Sequence, residues 1–351
     1  TDCIKTNWIS SQGKYVLKFE EMLQKQCNVD YCLATSNGTV SLHLALVSLN
    51  IGIGDEVIVP NLTFGASVNS IIHSGATPVL IDVDLDSWNI SPELIRAAIT
   101  PKTKAIMPVH IYGNPCDMDG IMKIAKEYDL KVVEDCAEAL GSEINGQPVG
   151  SFGHAAAFSF FANKVITCGE GGAVIFKEKS AYQKAILLRD HGMSKNKRYW
   201  HEEVGYNYRL TNIQAAIGCA QLEQFSSFKD KRKKIFSSYD NILIPTGMFK
   251  RPLIKKDNCE SYWIYTILIN KDVNMDLLAE RLRKNRIDSR PVFYPMNQMP
   301  AFSNLKIFSS LENSEFISSK GISLPSDISL TKNEISFICK ELLNILNELS
   351  N

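Results

Sequence analysis

From residue 31 to about residue 135 the chain alternates short, nearly unbroken apolar runs with longer segments of helical period. The apolar runs are residues 31–34 (YCLA), Glu56–Pro60 (EVIVP), 78–82 (PVLID), 104–109 (KAIMPV) and Lys131–Asp135 (KVVED). Each is short and rich in β-branched residues, which predicts a strand. Between them, residues 40–49, 66–74, 92–99 and 118–128 predict helices. Strands that alternate with helices predict an α/β fold whose mainly parallel sheet is sandwiched by helices. The scarcity of polar residues within the runs fits a sheet buried on both faces.

The pattern changes after about residue 225. Residues 211–239 form one long polar amphipathic stretch, and 261–270 (SYWIYTILIN) predict a strand. Residues 275–287 and 331–349 predict helices. This divides the chain into a large domain over residues 1–225 and a smaller C-terminal α/β domain over residues 226–351, a division that a chain of 351 residues readily supports.

Charge narrows the function. There are 38 basic and 38 acidic side chains, and the one basic tract is KDKRKK at residues 229–234. That tract reads as a solvated helix face, so neither nucleic acid nor a membrane surface is expected as a partner. No segment has the roughly 18 apolar residues of a membrane span. The nine cysteines are scattered without a C-x-x-C pair, which points to reduced thiols in a cytoplasmic protein, and no metal is called for. The opening TDCIKTNW resembles neither a signal peptide nor a natural start, and a preceding segment is expected.

In open parallel sheets, ligands bind beyond the carboxyl ends of the strands. Three groups fall there. Ser36, Asn37, Gly38 and Thr39 open a helix after the first strand, as an ordinary N-cap or as a phosphate site. Asp135 ends a strand, where it could cap a loop or hold a cationic ring nitrogen, and Glu138 lies close enough to share its site. Lys164 is isolated between an apolar run and the cluster Gly169-Glu170-Gly171-Gly172. It reads either as a side chain that reaches the surface or as a partly buried amine able to attack a carbonyl. The glycine cluster is not G-x-G-x-x-G and precedes a strand, which removes the main support for nicotinamide chemistry.

Taken in order, SNGTVSLHLAL, DEVIVPNLTFGASVNSI, GATPVLIDVD, AIMPVHIYGNPCDM, VVEDCAEALGS, AAAFSFFANKVITCGEGGA, LRDHGM and GYNYRLTNIQAAIGCAQL resemble the sugar aminotransferase family of the fold-type I pyridoxal-phosphate enzymes. The resemblance covers nearly the whole chain. FSFFANKVITCGEGG, RYWHEEVGYNYRLTNIQAAIG and RPVFYPMNQMP look most like its GDP-perosamine synthase branch.

The resemblance implies a fold-type I transferase that uses pyridoxal 5'-phosphate, alternating with pyridoxamine phosphate. It implies amination of a nucleotide-linked keto-sugar with L-glutamate, for surface polysaccharides such as the lipopolysaccharide O-antigen. Lys164 matches the lysine that carries the cofactor and moves the proton, and Asp135 the acid paired with the ring nitrogen. Phe64 matches the ring-stacking position, and Gly38, Thr39 and Ser159 the phosphate-binding positions. Asn207 matches an asparagine that reaches the phosphate from the neighbouring subunit, so the resemblance implies a homodimer with a shared site, or a tetramer built from it. Glu138 stands where glutamine is frequent, near the ring hydroxyl. Arg290, Phe293 and Tyr294 are candidates for sugar or nucleotide contact, with loop packing as the alternative. Asn297 stands where many members carry histidine, which changes what that loop can offer a sugar. Retention of Lys164 favours transamination over the dehydration of a side branch that carries histidine there. Other acceptors fit the same chemistry: a UDP- or dTDP-linked keto-sugar, an eight-carbon keto-sugar acid or a small ketose phosphate. A regulator that has lost turnover is the non-enzyme alternative.

Overall fold

A computed structural model describes residues 1–349 of the chain. In chain order its helices are α1 (Asp2–Lys5), α2 (Lys14–Cys27), α3 (Gly38–Ser48), α4 (Gly65–His73), α5 (Pro92–Ala98), α6 (Met118–Glu127), α7 (Lys179–Arg189), α8 (Asn212–Glu223), α9 (Phe225–Leu243), α10 (Met275–Lys284), α11 (Glu312–Lys320) and α12 (Lys332–Leu349). The strands of the first half are β1 (Tyr31–Thr35), β2 (Glu56–Pro60), β3 (Thr77–Ile81), β4 (Thr103–Ile106), β5 (Lys131–Asp135), β6 (Glu143–Ile144), β7 (Gln147–Pro148), β8 (Ala155–Ser159) and β9 (Gly172–Phe176). Those of the second half are β10 (Phe249–Lys250), β11 (Asn258–Cys259), β12 (Tyr265–Ile269), β13 (Arg290–Pro291), β14 (Lys306–Ile307) and β15 (Gly321–Leu324).

The main sheet has eight strands in the order β1-β9-β8-β5-β4-β2-β3-β14. All its pairings are parallel except those of β9, which runs antiparallel to both β1 and β8. Alternate residues feed two cores. Ile58 and Val132 pack on one face, while Val57, Val59 and Val133 pack on the other. All five side chains are fully buried. Burial of such a side chain contributes about 2 kcal/mol, and both faces gain it, which is why the runs read as uninterrupted apolar sequence.

Local signals set the helix starts. The Asn37 side chain accepts from the Val40 amide and caps α3, and Ser91 does the same for Leu94 ahead of Pro92 in α5. Thr211 and Gln214 form a capping box for α8. The single stretch expected over residues 211–239 is instead two helices with a break at Gln224. Just beyond it Phe225 is buried, its ring so close to Gly141 that an added Cβ there would lie 2.4 Å from it.

The second half builds a four-stranded sheet, β10-β12-β15-β13, whose core includes Tyr239 of α9, Leu282 of α10 and Leu342 of α12. Two short strands leave it. β11 joins the hairpin of β6 and β7, and β14 adds an edge to the main sheet. The basic tract 229–234 also differs from expectation. Lys229 Nζ donates to the Gly141 carbonyl at 2.6 Å and Arg232 to the Trp263 carbonyl at 2.8 Å, so two of its cations face inward while Lys231, Lys233 and Lys234 are solvated. Among the described residues no helix is long and apolar enough to cross a membrane.

Candidate active site

A cavity of about 660 Å³ opens at the carboxyl ends of β5 and β8, beside the first turns of α3 and α4. Its lining includes Gly38, Thr39, Phe64, Asp135, Glu138, Ser159, Lys164 and Phe293. Residues spread over more than two hundred positions thus converge on one space.

The amine comes from the loop between β8 and β9. Asn163 is held there because its carbonyl accepts from Trp263 Nε1 at 2.7 Å. Lys164 Nζ lies 3.9 Å from the Trp263 ring centre and 3.9 Å from Glu138 Oε1. Its side chain is 14% exposed. Burial lowers its basicity below the ordinary lysine value, and Glu138 and Asp135 oppose that shift. The neutral amine is the nucleophilic form, so this environment favours reaction with a carbonyl.

Asp135 is buried at the end of β5. One oxygen accepts from Ser67 Oγ at 2.8 Å and the other from the Ala137 amide at 3.1 Å. Burial raises its carboxyl above the usual range, against the hydrogen bonds from Ser67 and Ala137 and the nearby charge of Lys164. A cation placed in the cavity would reverse that balance and hold it ionised. Glu138 accepts from the Tyr112 amide at 2.6 Å, and burial pushes it up to about 7. A carboxyl in that range can carry a proton at neutral pH, so it can stand beside a phenolate as a hydrogen-bond donor.

The start of α3 offers the opposite charge. The amides of a first helical turn have no intrahelical partner and lie at the positive end of the helix dipole. Gly38 brings that turn against β8: a Cβ on residue 38 would lie 2.8 Å from Ser159 Cβ. The glycines after Lys164 serve two different ends. Gly169 does take a positive φ of 81°, but Gly172 answers to packing, since a Cβ there would lie 2.5 Å from the Asn37 carbonyl carbon.

Aromatic rings complete one wall. Phe64 and Phe293 lie 5.8 Å apart, Phe293 stacks on Tyr112 at 5.2 Å, and Tyr112 stacks on Trp263 at 6.1 Å. Tyr112 Oη also accepts from the Phe293 amide. Trp263, Tyr112 and Ser67 were missed as site residues in the sequence. Trp263 had only its place in SYWIYTILIN to mark it, and Ser67 only its nearness to Phe64.

The remaining candidates lie elsewhere. Asn207 is exposed and accepts from Arg209 Nε, outside the cavity lining. Tyr294 is 56% exposed. Arg290 lines a second, smaller cavity. Asn297 is engaged within the fold, since its amide group bonds to Asn61 and to Glu315. That loop therefore presents Phe293, not Asn297, to the main cavity.

A buried cluster of His110, Glu134 and Cys136 has the composition of a metal site. The ring nitrogens of His110 and the carboxylate of Glu134 are already taken. Glu134 accepts from the amides of Gly150, Phe152 and Gly153 and from His110 Nε2, while His110 Nδ1 accepts from the Cys116 amide. With its acceptor sites filled, the cluster is a structural lock.

The pattern of the DegT/DnrJ/EryC1/StrS aminotransferase family matches residues 1–343. The chain belongs to this family. It is 44% identical over 342 residues to a GDP-perosamine synthase of Escherichia coli O157:H7, covering 97% of this chain and 93% of that one. It is 42% identical over 348 residues to a GDP-perosamine synthase of Caulobacter vibrioides, covering 98% and 94%. Among solved structures, S. venezuelae DesV in complex with a ketimine intermediate superposes with a TM-score of 0.92 at 30% identity, covering 98% of this chain and 92% of that one. As a member of the DegT/DnrJ/EryC1/StrS family the chain is a pyridoxal-phosphate-dependent aminotransferase. The cavity suits that cofactor in its own chemistry: its lining brings together an amine of lowered basicity, a buried carboxylate and a glycine-opened helix terminus.

Proposed function

We propose that this aminotransferase moves an amino group from L-glutamate to GDP-4-keto-6-deoxy-D-mannose, giving GDP-perosamine for surface polysaccharide. The convergence of Lys164, Asp135 and the Gly38–Thr39 turn on one cavity carries the chemistry of this reading. The relatives named GDP-perosamine synthase support the acceptor. The division of labour would fall between a cofactor-binding part over residues 1–225 and a smaller part over residues 226–351. The working unit would be a cytoplasmic homodimer, or a tetramer built from it, with Asn207 of each subunit reaching the phosphate in its neighbour's site.

Pyridoxal phosphate, when bound, supplies an electron sink for the carbon that loses its proton. Lys164 would hold it through Nζ. Gly38, Thr39 and Ser159 would hold the phosphate at the positive end of α3. Phe64 would flank the ring. Asp135, fixed by Ser67 and Ala137, would pair with the ring nitrogen and keep it protonated. Glu138, protonated, would donate to the ring hydroxyl oxygen.

In the donor half of the reaction, Lys164 Nζ would act as a free amine inside the cavity. Burial disfavours its ammonium form, so the amine would be available to take the proton from the donor α-carbon and to give it back later in the reaction. The acceptor half uses the same amine in the opposite direction. Trp263 lies against Lys164 and lines the cavity with Phe64 and Phe293, an apolar surface that would limit water at the amine.

The test is a half-reaction screen. Enzyme in its pyridoxamine-phosphate form is mixed with GDP-4-keto-6-deoxy-D-mannose and with dTDP- and UDP-linked keto-sugars, and the products are read by mass spectrometry. GDP-perosamine should form fastest. Preferential amination of a dTDP- or UDP-linked sugar would move the assignment to that acceptor.

A further inference from the structure

A second cavity, about 270 Å³, adjoins the main one, and Asn163, Lys164 and Trp263 line both. Besides Lys164 its charged lining is Arg232, Arg290, Asp288 and Asp327. Arg232 comes from α9, and its guanidinium is incompletely partnered. One NH group donates to the Trp263 carbonyl at 2.8 Å, whereas Nε is buried without a partner. Arg290 comes from β13 on the small sheet. Its contact with Asp288 is 3.9 Å long and both side chains are exposed, so that pair adds little and leaves the guanidinium available. A buried N–H without an acceptor costs free energy that an arriving anion can recover. Two planar guanidinium groups in one small space suit the oxygens of a carboxylate or a phosphate.

We infer that this smaller cavity is the carboxylate subsite for the amino donor, with Arg232 and Arg290 as its ligands. The inference rests on the proposed use of a dicarboxylic amino acid and adds the residues that select it. Two considerations favour a carboxylate over the diphosphate of a nucleotide sugar. The cavity is smaller than the roughly 300–1,000 Å³ of sites that hold larger ligands. Lys164 stands in the shared wall, so a donor with its carboxylate beside Arg232 has its amino end directed toward the reacting amine. The arrangement also gives a role to Arg232, which α9 turns inward while Lys231, Lys233 and Lys234 are solvated.

The test uses holoenzyme and two unreactive probes, glutarate and GDP, titrated by calorimetry. Wild type is compared with Arg232→Gln and Arg290→Gln. Arg290 is 57% exposed, so its replacement tests the subsite with little risk to folding. Glutarate affinity should fall at least about tenfold in each variant, the size expected for a lost hydrogen bond to a charged group. GDP affinity should stay within about twofold of wild type, a change of less than about 0.5 kcal/mol. Unchanged glutarate affinity in either variant overturns the paired subsite. Weakened GDP with intact glutarate assigns the cavity to the diphosphate and likewise overturns it. If wild type binds no glutarate at all, the dicarboxylic-donor reading of the preceding section fails, and the subsite falls with it.

Discussion

Glu134 and Asp135 are consecutive, both buried, and both in β5, yet they face opposite sides of the main sheet. Glu134 shares its face with Val132. There, three backbone amides and His110 fill its oxygens. Asp135 shares its face with Val133. There, Ser67 and Ala137 take one bond each, and the rest of the carboxylate looks into a cavity that holds Lys164. The strand's two-residue period separates a carboxylate that closes the fold from one that stays available to a ligand. Burial does not distinguish the two. The number of acceptor positions still open does.

The largest effect should come from breaking the closed side. Glu134→Gln places an NH2 group among donors and should cost about 4 kcal/mol of stability, the scale of a broken buried pair. Urea denaturation reads this directly. A midpoint equal to wild type would contradict the structural role.

Asp135→Asn tests the open side. Stability should change little, while turnover should fall about 10²-fold, the kinetic equivalent of roughly 3 kcal/mol of lost charge pairing. Equal losses of stability in Asp135→Asn and Glu134→Gln would erase the contrast between the two faces.

Glu138, on the cavity side, adds a pH signature. Its carboxyl rises from an ordinary 4.5 to about 7 through burial. Between those values the folded protein keeps a proton that the unfolded chain has lost, so stability falls as pH rises through that window. Glu138→Gln removes this dependence. Relative to the variant, cofactor-free wild type should lose up to about 3 kcal/mol across the window. Parallel stability curves would contradict the buried, proton-holding carboxyl.

Ser67→Ala should give the smallest change. It removes one hydrogen bond to Asp135 and should lower turnover about tenfold, about 1.4 kcal/mol, with the protein still folded. Loss of turnover as large as in Asp135→Asn would mean that Ser67 does more than orient the acid.

Much of this contrast was legible in the sequence. Glu56–Pro60 and Lys131–Asp135 coincide with β2 and β5, because strands buried on both faces leave a dense apolar signature. Asp135 stands at a strand end, the Gly38 turn at a helix start, and Glu138 and Lys164 in the loops after β5 and β8, where local sequence carries information. What escaped depends on distant pairings. The antiparallel run of β9, the two-residue edge strand β14, and Trp263 locking Asn163 across a hundred positions have no local pattern. Arg232 looked solvated because its neighbours are, yet it turns inward and donates to the Trp263 carbonyl. Asn297 was expected as a ligand residue from the resemblance of its loop, and in the structure Asn61 and Glu315 engage its amide.

The most direct test of the account is to fix the cofactor where it sits. Holoenzyme is reduced with borohydride, digested, and the modified peptide is sequenced by mass spectrometry. The account predicts a single pyridoxyl group, on Lys164. A label on another lysine, or reduced holoenzyme with no labelled lysine, would contradict it.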